Sequence, residues 1–174
     1  MRKALLHLNH QLIQSLLKVD MTVCDMTCGH GYDTEFIAPR VNHVYSFDVQ
    51  KKALSSAKQR LHTLQNVTFV HDSFVHVTQY VKNASLFIFN LGYLPQSDKT
   101  VTTTKDQTIK ALNTIKDHYS KASIVLMSYI GHDEGKIEYA GIQDWILKQT
   151  SYKVIQSTLL HHDNAPVMFW MYPK

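Results

Sequence analysis

Short apolar runs that stop at a carboxylate recur along this chain at near-even spacing, and no other feature constrains the fold as much. Thr22-Val23-Cys24 ends at Asp25, Val44-Tyr45-Ser46-Phe47 ends at Asp48, and Val67 to His71 ends at Asp72. The first run continues into Met26-Thr27-Cys28-Gly29-His30-Gly31-Tyr32-Asp33-Thr34. That is a buried strand, a glycine-bearing turn, and a helix entered at Asp33 or Thr34. Backbone N–H groups and the helix dipole converge at such a turn, which makes it a place for a nucleotide-like ligand. Three acids at three successive strand ends then predict one pocket along one edge of a parallel sheet.

The rest of the chain fits that frame. Leu5, Leu8, Leu12, Ile13 and Leu16 fall at helical spacing, predicting a leading amphipathic helix over residues 4–17. A short helix ends near Pro39, and Lys51 to Leu64 sets Leu54, Ala57, Leu61 and Leu64 on one helical face. A further short helix covers Phe74 to Tyr80. Leu86 to Phe89 is a continuous apolar run, the mark of a central parallel strand. A polar loop from Asn90 through Thr104 precedes a helix from Asp106 to Tyr119 and a fifth strand from Ile124 to Met127. Gly131 to Gly135 forms a loop before a helix over Lys136 to Gln149, in which Ile142, Trp145 and Ile146 take core spacing. Tyr152 to Ser157 and Val167 to Tyr172, with Trp170 in the core, are two strands with no helix between them. Five βα units imply right-handed parallel crossovers, and the final pair inserts one antiparallel strand.

With 44% hydrophobic and 18% charged residues over 174 positions, the expectation is one folded domain spanning 1–174. No apolar run approaches the ~20 residues of a membrane span. The stretch Met1 to Lys18 lacks the unbroken apolar centre of a signal peptide, so a cytoplasmic protein is expected. A net charge of +4, with Lys99, Lys105, Lys110, Lys116 and Lys121 in one segment, permits a polyanionic partner without requiring one. No metal site is expected. Cys24 and Cys28 with His30 lack a fourth ligand, and His161-His162-Asp163 reads as a solvated turn between the last strands. The two cysteines are read as reduced, buried thiols.

The acids, the turn and the terminal strand pair together resemble the class I S-adenosylmethionine-dependent methyltransferases, an α/β, Rossmann-like fold with a seven-stranded sheet and helices on both faces. The resemblance implies S-adenosyl-L-methionine as cofactor. Its shell would be Asp25, Thr27, Cys28, Gly29, His30, Gly31, Asp33 and Thr34 at the first turn, then Asp48, Val49 and Gln50, then Asp72 and Ser73, with Asn90 and Gly92 opposite. In that family the acid matched by Asp48 binds the ribose hydroxyls and the acid matched by Asp72 faces the adenine amine. Asp33 is read either as a contact to the cofactor's ammonium or as a plain helix cap.

A narrower resemblance rests on Asp33-Thr34, on Asn90-Leu91-Gly92-Tyr93-Leu94-Pro95 with Asp98-Lys99 and Thr102-Thr103, and on Tyr129-Ile130-Gly131-His132. This combination is similar to a small bacterial group that carries the name rRNA methylase. The implied activity is methylation of the aminomethyl group of 5-aminomethyl-(2-thio)uridine at the tRNA wobble position, with the anticodon stem-loop as partner. A homodimer would broaden the RNA-facing surface, and no membrane is involved. Asn90 and Tyr93 are the implied catalytic pair: the Asn90 carboxamide oxygen, with the Leu91 carbonyl, accepts the amine's N–H bonds while Tyr93 covers the base. Leu91, Tyr93, Leu94, Pro95, Asp98, Lys99, Tyr129, Gly131 and His132 are the implied substrate contacts. Asp98, His132 and water all stand open as acceptors of the substrate's proton. Adenine N6 in nucleic acid, or a small amine, is the alternative acceptor. A dinucleotide oxidoreductase fits less well, since Thr34 stands where its third glycine would be.

Overall fold

The strands of the computed structural model, which describes residues 2–92, 103–162 and 164–174 (side chains from residue 7), follow the apolar runs of the sequence. The order is α1 (Arg2–Leu16), β1 (Thr22–Asp25), α2 (Tyr32–Ile37), β2 (His43–Phe47), α3 (Lys51–Arg60), β3 (Val67–Val70), β4 (Leu86–Asn90), α4 (Lys105–His118), β5 (Ser123–Ser128), α5 (Asp133–Lys148), β6 (Tyr152–Ser157) and β7 (Val167–Pro173). The seven strands form one sheet in the order β3-β2-β1-β4-β5-β7-β6. All neighbouring pairs are parallel except those made by β7, which runs antiparallel between β5 and β6. Mixed sheet, parallel core and antiparallel insertion agree with the expectation from the sequence.

Alternation along the strands splits the core into two faces. In β4, Phe87 and Phe89 pack with Leu112 and Ile115 of α4 and Ile142 of α5. Leu86 and Ile88, pointing the other way, pack with Ile13 of α1 and Ile37 of α2. Trp145 and Trp170 are both buried, as their spacing indicated. A strand sandwiched between helical layers needs apolar side chains at every position, and LFIF in β4 supplies them.

Three element boundaries differ from the sequence reading, each for a local reason. Helix α2 starts at Tyr32 with Gly31 as its N-cap, at φ +82°, and no side chain caps it. Asp33 and Thr34 do not cap because both side chains are bonded elsewhere. Helix α5 starts at Asp133 rather than Lys136, because the His132 ring caps it: Nδ1 accepts the Gly135 N–H at 3.0 Å. Residues Phe74–Gln79 form 3₁₀ turns opened by Ser73, whose Oγ accepts from Val75 N. Of the polar loop after Asn90, the residues Tyr93, Leu94, Pro95, Asp98 and Lys99 lie outside the described residues, as does Asp163.

The entry to α5 has no room for a side chain at Gly135, where a Cβ would lie 2.0 Å from the Tyr129 carbonyl oxygen and 3.0 Å from the His132 ring. At Gly141, in the same helix, a Cβ would meet the flexible Lys105 side chain. Gly135→Ala is therefore expected to destabilise the protein by about 1–3 kcal/mol, while Gly141→Ala is near neutral because helix propensity gains about 1 kcal/mol. Thermal melting of the two variants measures the difference, and equal melting temperatures would contradict the close approach.

Candidate active site at the carboxyl edge of the sheet

In the order β3-β2-β1-β4-β5 the chain leaves β1 toward one side and β4 toward the other, so a crevice opens outside the carboxyl ends of these two strands. The structure brings the first turn and Asn90 together there. Thr27 Oγ accepts the Asn90 backbone N–H at 2.7 Å, across 63 residues of sequence. The next two amides are also taken: Leu91 N donates to the Met127 carbonyl at 2.9 Å and Gly92 N to Thr103 Oγ at 2.9 Å. Gly92 sits at φ +124°, a conformation open to glycine and strained for other residues. Three successive amides of the strand end are thus tied to the turn after β1, to β5 and to the far end of the loop.

Beneath the turn lies a buried polar knot. Asp25 and Thr34 are wholly enclosed; Thr34 Oγ donates to Asp25 Oδ2 at 2.6 Å and pairs with Ser46 Oγ at 2.7 Å, while Thr27 N donates to Asp25 Oδ1 at 3.2 Å. Burial, reinforced by the neighbouring Asp33 carboxylate, pushes the Asp25 carboxyl up to about 7, against the lowering effect of the Thr34 and Thr27 bonds. Cys28 is buried beside it, and burial raises its thiol, as it does that of Cys24. Both thiols are free. Asp25 and Thr34 shape the turn from below.

The turn's upper side is built from backbone. Cys28 N donates to the Phe47 carbonyl, and Gly29, at φ +54°, donates its N–H to Asp48 Oδ2 at 2.8 Å. Asp48 Oδ1 accepts from Gln50 N at 2.8 Å, so the carboxylate beyond β2 is aimed by two amides. Burial raises its pKa while those two bonds oppose the rise. Val49 lies exposed beside it and its carbonyl accepts from His71. At Gly31 a Cβ would come within 3.0 Å of Ala57 and Leu61, so that glycine serves close packing on α3 as well as the turn. His30 bonds Ser56 through Nδ1 at 3.0 Å, and Arg60 lies 4.1 Å over the Tyr32 ring.

Asp72, beyond β3, accepts from Ser73 N at 2.7 Å, His76 Nδ1 at 3.0 Å and Tyr80 OH at 2.8 Å. The His76 and Tyr80 bonds hold its carboxyl below the ordinary range. A carboxylate offers about four lone-pair sites, so Asp48 and Asp72 retain acceptor capacity for a ligand's hydroxyl or amine hydrogens. Two aimed carboxylates on the β2–β3 side of a bare-backbone turn suit a ribose diol and an adenine amine, the two polar groups of a nucleoside cofactor.

On the β5 side, Tyr129, Gly131 and His132 join β5 to α5, and the His132 ring caps that helix. Two contributors, His10 and Glu138, had no motif to mark them. His10 of α1 bonds Asp33 Oδ1 through Nε2 at 2.7 Å, and Asn90 Nδ2 donates to Asp33 Oδ2 at 3.3 Å. Glu138 of α5, only 2% exposed, accepts from Thr108 Oγ at 2.6 Å and Thr103 Oγ at 3.0 Å, and burial raises its carboxyl.

Sheet order, crevice and acid-lined edge define a class I methyltransferase fold. The family described as "Putative rRNA methylase" matches residues 44–172, most of the chain. A crystal structure of the same description from Clostridium thermocellum is 28% identical, with a TM-score of 0.91 and 97% of each chain covered. A methyltransferase structure from Streptococcus mutans in complex with SAH is 26% identical, with a TM-score of 0.88 over 97% of each chain. The chloroplastic tRNA (mnm5s2U34)-methyltransferase of Arabidopsis thaliana is 26% identical across 99% of this chain and 70% of its own length. The chain belongs to this rRNA methylase family, within the class I S-adenosylmethionine-dependent methyltransferases. Among the described residues no helix is long and apolar enough to cross a membrane.

The Asp25 shift has a consequence for stability. Its folded pKa lies above the unfolded value of about 3.9, so the folded state holds the proton more tightly. Its contribution is full below pH 4 and is lost as pH rises through about 7. Melting temperature is expected to fall between pH 5 and pH 8, and Asp25→Asn should flatten that fall. An unchanged slope in the variant would assign the titration to other groups.

Proposed function

We propose that this methyltransferase acts on the aminomethyl nitrogen of 5-aminomethyl-(2-thio)uridine at the wobble position of tRNA, giving 5-methylaminomethyl-(2-thio)uridine. The observation that carries this reading is the state of Asn90. Its backbone is pinned by Thr27 and its carboxamide nitrogen is committed to Asp33, so Oδ1 remains as an acceptor at the strand end, beside the first turn. A neutral alkyl amine presents two N–H groups and one lone pair. An acceptor pair formed by Asn90 Oδ1 and the Leu91 carbonyl takes the hydrogens and turns the lone pair outward. The relative named for wobble-uridine methylation, matching nearly the whole chain, favours this amine over adenine N6.

S-adenosyl-L-methionine, when bound, supplies an electrophilic methyl group on a sulfonium. The fit is chemical: Asp48 for the ribose hydroxyls, Asp72 and Ser73 for the adenine edge, and the Thr27-to-Gly31 backbone with Val49, Gln50 and Gly92 for the remainder. The protein's task is positioning, since in-line transfer needs the nitrogen about 3–3.5 Å from the methyl carbon. With the cofactor bound, the neutral amine nitrogen would bond the methyl carbon as the carbon–sulfur bond broke, and the resulting secondary ammonium would shed a proton to water. Leu91, Tyr129, Gly131 and His132 border the acceptor side. Tyr93, Leu94, Pro95, Asp98 and Lys99 follow in sequence and complete that side in this reading, with Tyr93 covering the base. The partner is the anticodon stem-loop.

Two measurements test this reading. Incubation of tRNA with protein and labelled cofactor, followed by nucleoside mass spectrometry, is expected to place the label on wobble uridine. Label on adenosine would transfer the assignment to adenine N6. Asn90→Ala is expected to leave the cofactor-induced rise in melting temperature nearly intact and lower transfer by at least 100-fold, the loss of one positioned hydrogen-bonding group in a transition state. Wild-type transfer by that variant would remove Asn90 from the chemistry.

A further inference from the structure

Helix α1 lies outside the matched family segment, yet it reaches the reaction centre. His10 projects from it onto Asp33 of α2, with Nε2 2.7 Å from Oδ1, and the other carboxylate oxygen accepts from Asn90 Nδ2 at 3.3 Å. The imidazole is stacked face to face on Phe36, with centroids 4.2 Å apart and planes 8° apart. Asp33 is largely buried, its side chain 8% exposed, and His10 is 21% exposed. A stacked ring, a buried carboxylate and a carboxamide therefore form a single chain of contacts ending on the residue assigned to the substrate amine.

The chemistry of that chain fixes one atom assignment. The two ends of a carboxamide are nearly equal in shape and opposite in hydrogen-bonding character. An ionised carboxylate only accepts, so the Asn90 end that faces Asp33 must be the NH2. His10 Nε2 carries a proton in this pairing for the same reason, whether the ring is neutral or charged. Rotation of Asn90 by half a turn would place two donors where the amine arrives. A donor there would bind the nitrogen lone pair, which is the electron pair needed for attack on the methyl group.

We propose that His10 and Asp33 are positioning residues for methyl transfer, holding the Asn90 carboxamide so that Oδ1 is the atom offered to the substrate amine. Asp33 is the lock, and His10, braced by Phe36, holds the lock in place. The leading helix is then a working part of the transfer site. This inference rests on the role given to Asn90 above, and it makes no use of which nucleoside carries the amine.

His10→Phe preserves a flat ring for the stack on Phe36 and deletes the donor. His10→Gln replaces Nε2–H with an amide N–H at similar reach. His10→Phe is expected to lower kcat at least tenfold, with the KM for RNA, the Kd for SAH and the melting temperature close to wild type. His10→Gln should recover most of the lost kcat. Nitrogen-15 spectra supply a readout free of turnover: the Asn90 side-chain NH2 pair, identified by its loss in Asn90→Asp, should shift in His10→Phe and return in His10→Gln. The label's destination tests the substrate assignment separately, since kcat for these variants is read on whichever nucleoside wild-type protein methylates. Should wild-type protein label no nucleoside, the substrate reading fails and the NH2 pair decides this one. Unmoved Asn90 signals in His10→Phe overturn the proposal, as does unchanged kcat. So does a parallel loss of melting temperature and SAH binding, which would make His10 a packing residue.

Discussion

One hydrogen bond joins the halves of this molecule where it matters. The Asn90 amide, at the end of β4, donates to the Thr27 hydroxyl in the turn after β1 at 2.7 Å. Parallel strands that diverge beyond their last ladder bond leave unpaired amides at the edge, and each must find an acceptor. Thr27 supplies one from a side chain, so the turn stays close to β4 without becoming part of the sheet. The buried knot below serves the same end: Asp25 receives Thr27 N and Thr34 Oγ, and Thr34 reaches Ser46 of β2. Crevice width is thereby set by side-chain hydroxyls and one enclosed carboxyl group.

The opposite side of Asn90 is held by a second buried acid. Glu138 accepts from Thr103 and Thr108, and Thr103 accepts from Gly92 N, so α5, the start of α4 and the strand end are tied together. A carboxyl group 2% exposed is costly to bury unless its oxygens are bonded, and here both are. Gly92 adds a positive-φ residue that lets the chain turn away immediately after Leu91. The catalytic candidate therefore sits between two polar clamps, one on each side of β4, while its strand is packed above and below by apolar layers. Precision at Asn90 is a property of the whole edge.

How much of this was legible in the sequence follows from how local each signal is. The strands were readable because a continuous run such as LFIF, or an alternating run such as HVYSF, is of strand length and bounded by polar residues. The terminal antiparallel insertion was readable because Tyr152–Ser157 and Val167–Pro173 have no crossover helix between them. The acids Asp48 and Asp72 fell where the strands ended, so their places followed from the strands. The cap of α5 was missed because His132 is an uncommon cap, and a histidine after glycine reads as loop. Glu138 was missed because an acid in an amphipathic helix reads as a solvent face, and only threonines from α4 and the loop end make its burial tolerable. His10 was missed because its partner is 23 residues away and lies across a helix packing that no spacing rule encodes.

The nonlocal residues share one feature that separates them from the motif residues. Motif residues such as Gly29 and Gly31 act through backbone conformation, which a sequence records directly: φ values of +54° and +82° favour glycine. His10, Glu138 and Thr108 act through side chains that satisfy or orient another side chain, and several residue types can do that from several places. Their identity is set by reach and charge at a point in space rather than by position in a turn. A crevice of this fold is consequently written twice, once in the turn as a conformational requirement and once in the surrounding helices as a hydrogen-bonding requirement. In this chain the second is met by α1 on one side of Asn90 and α5 on the other. The arrangement gives the strand end a fixed amide orientation before any substrate arrives, so little of the binding free energy is spent on ordering it.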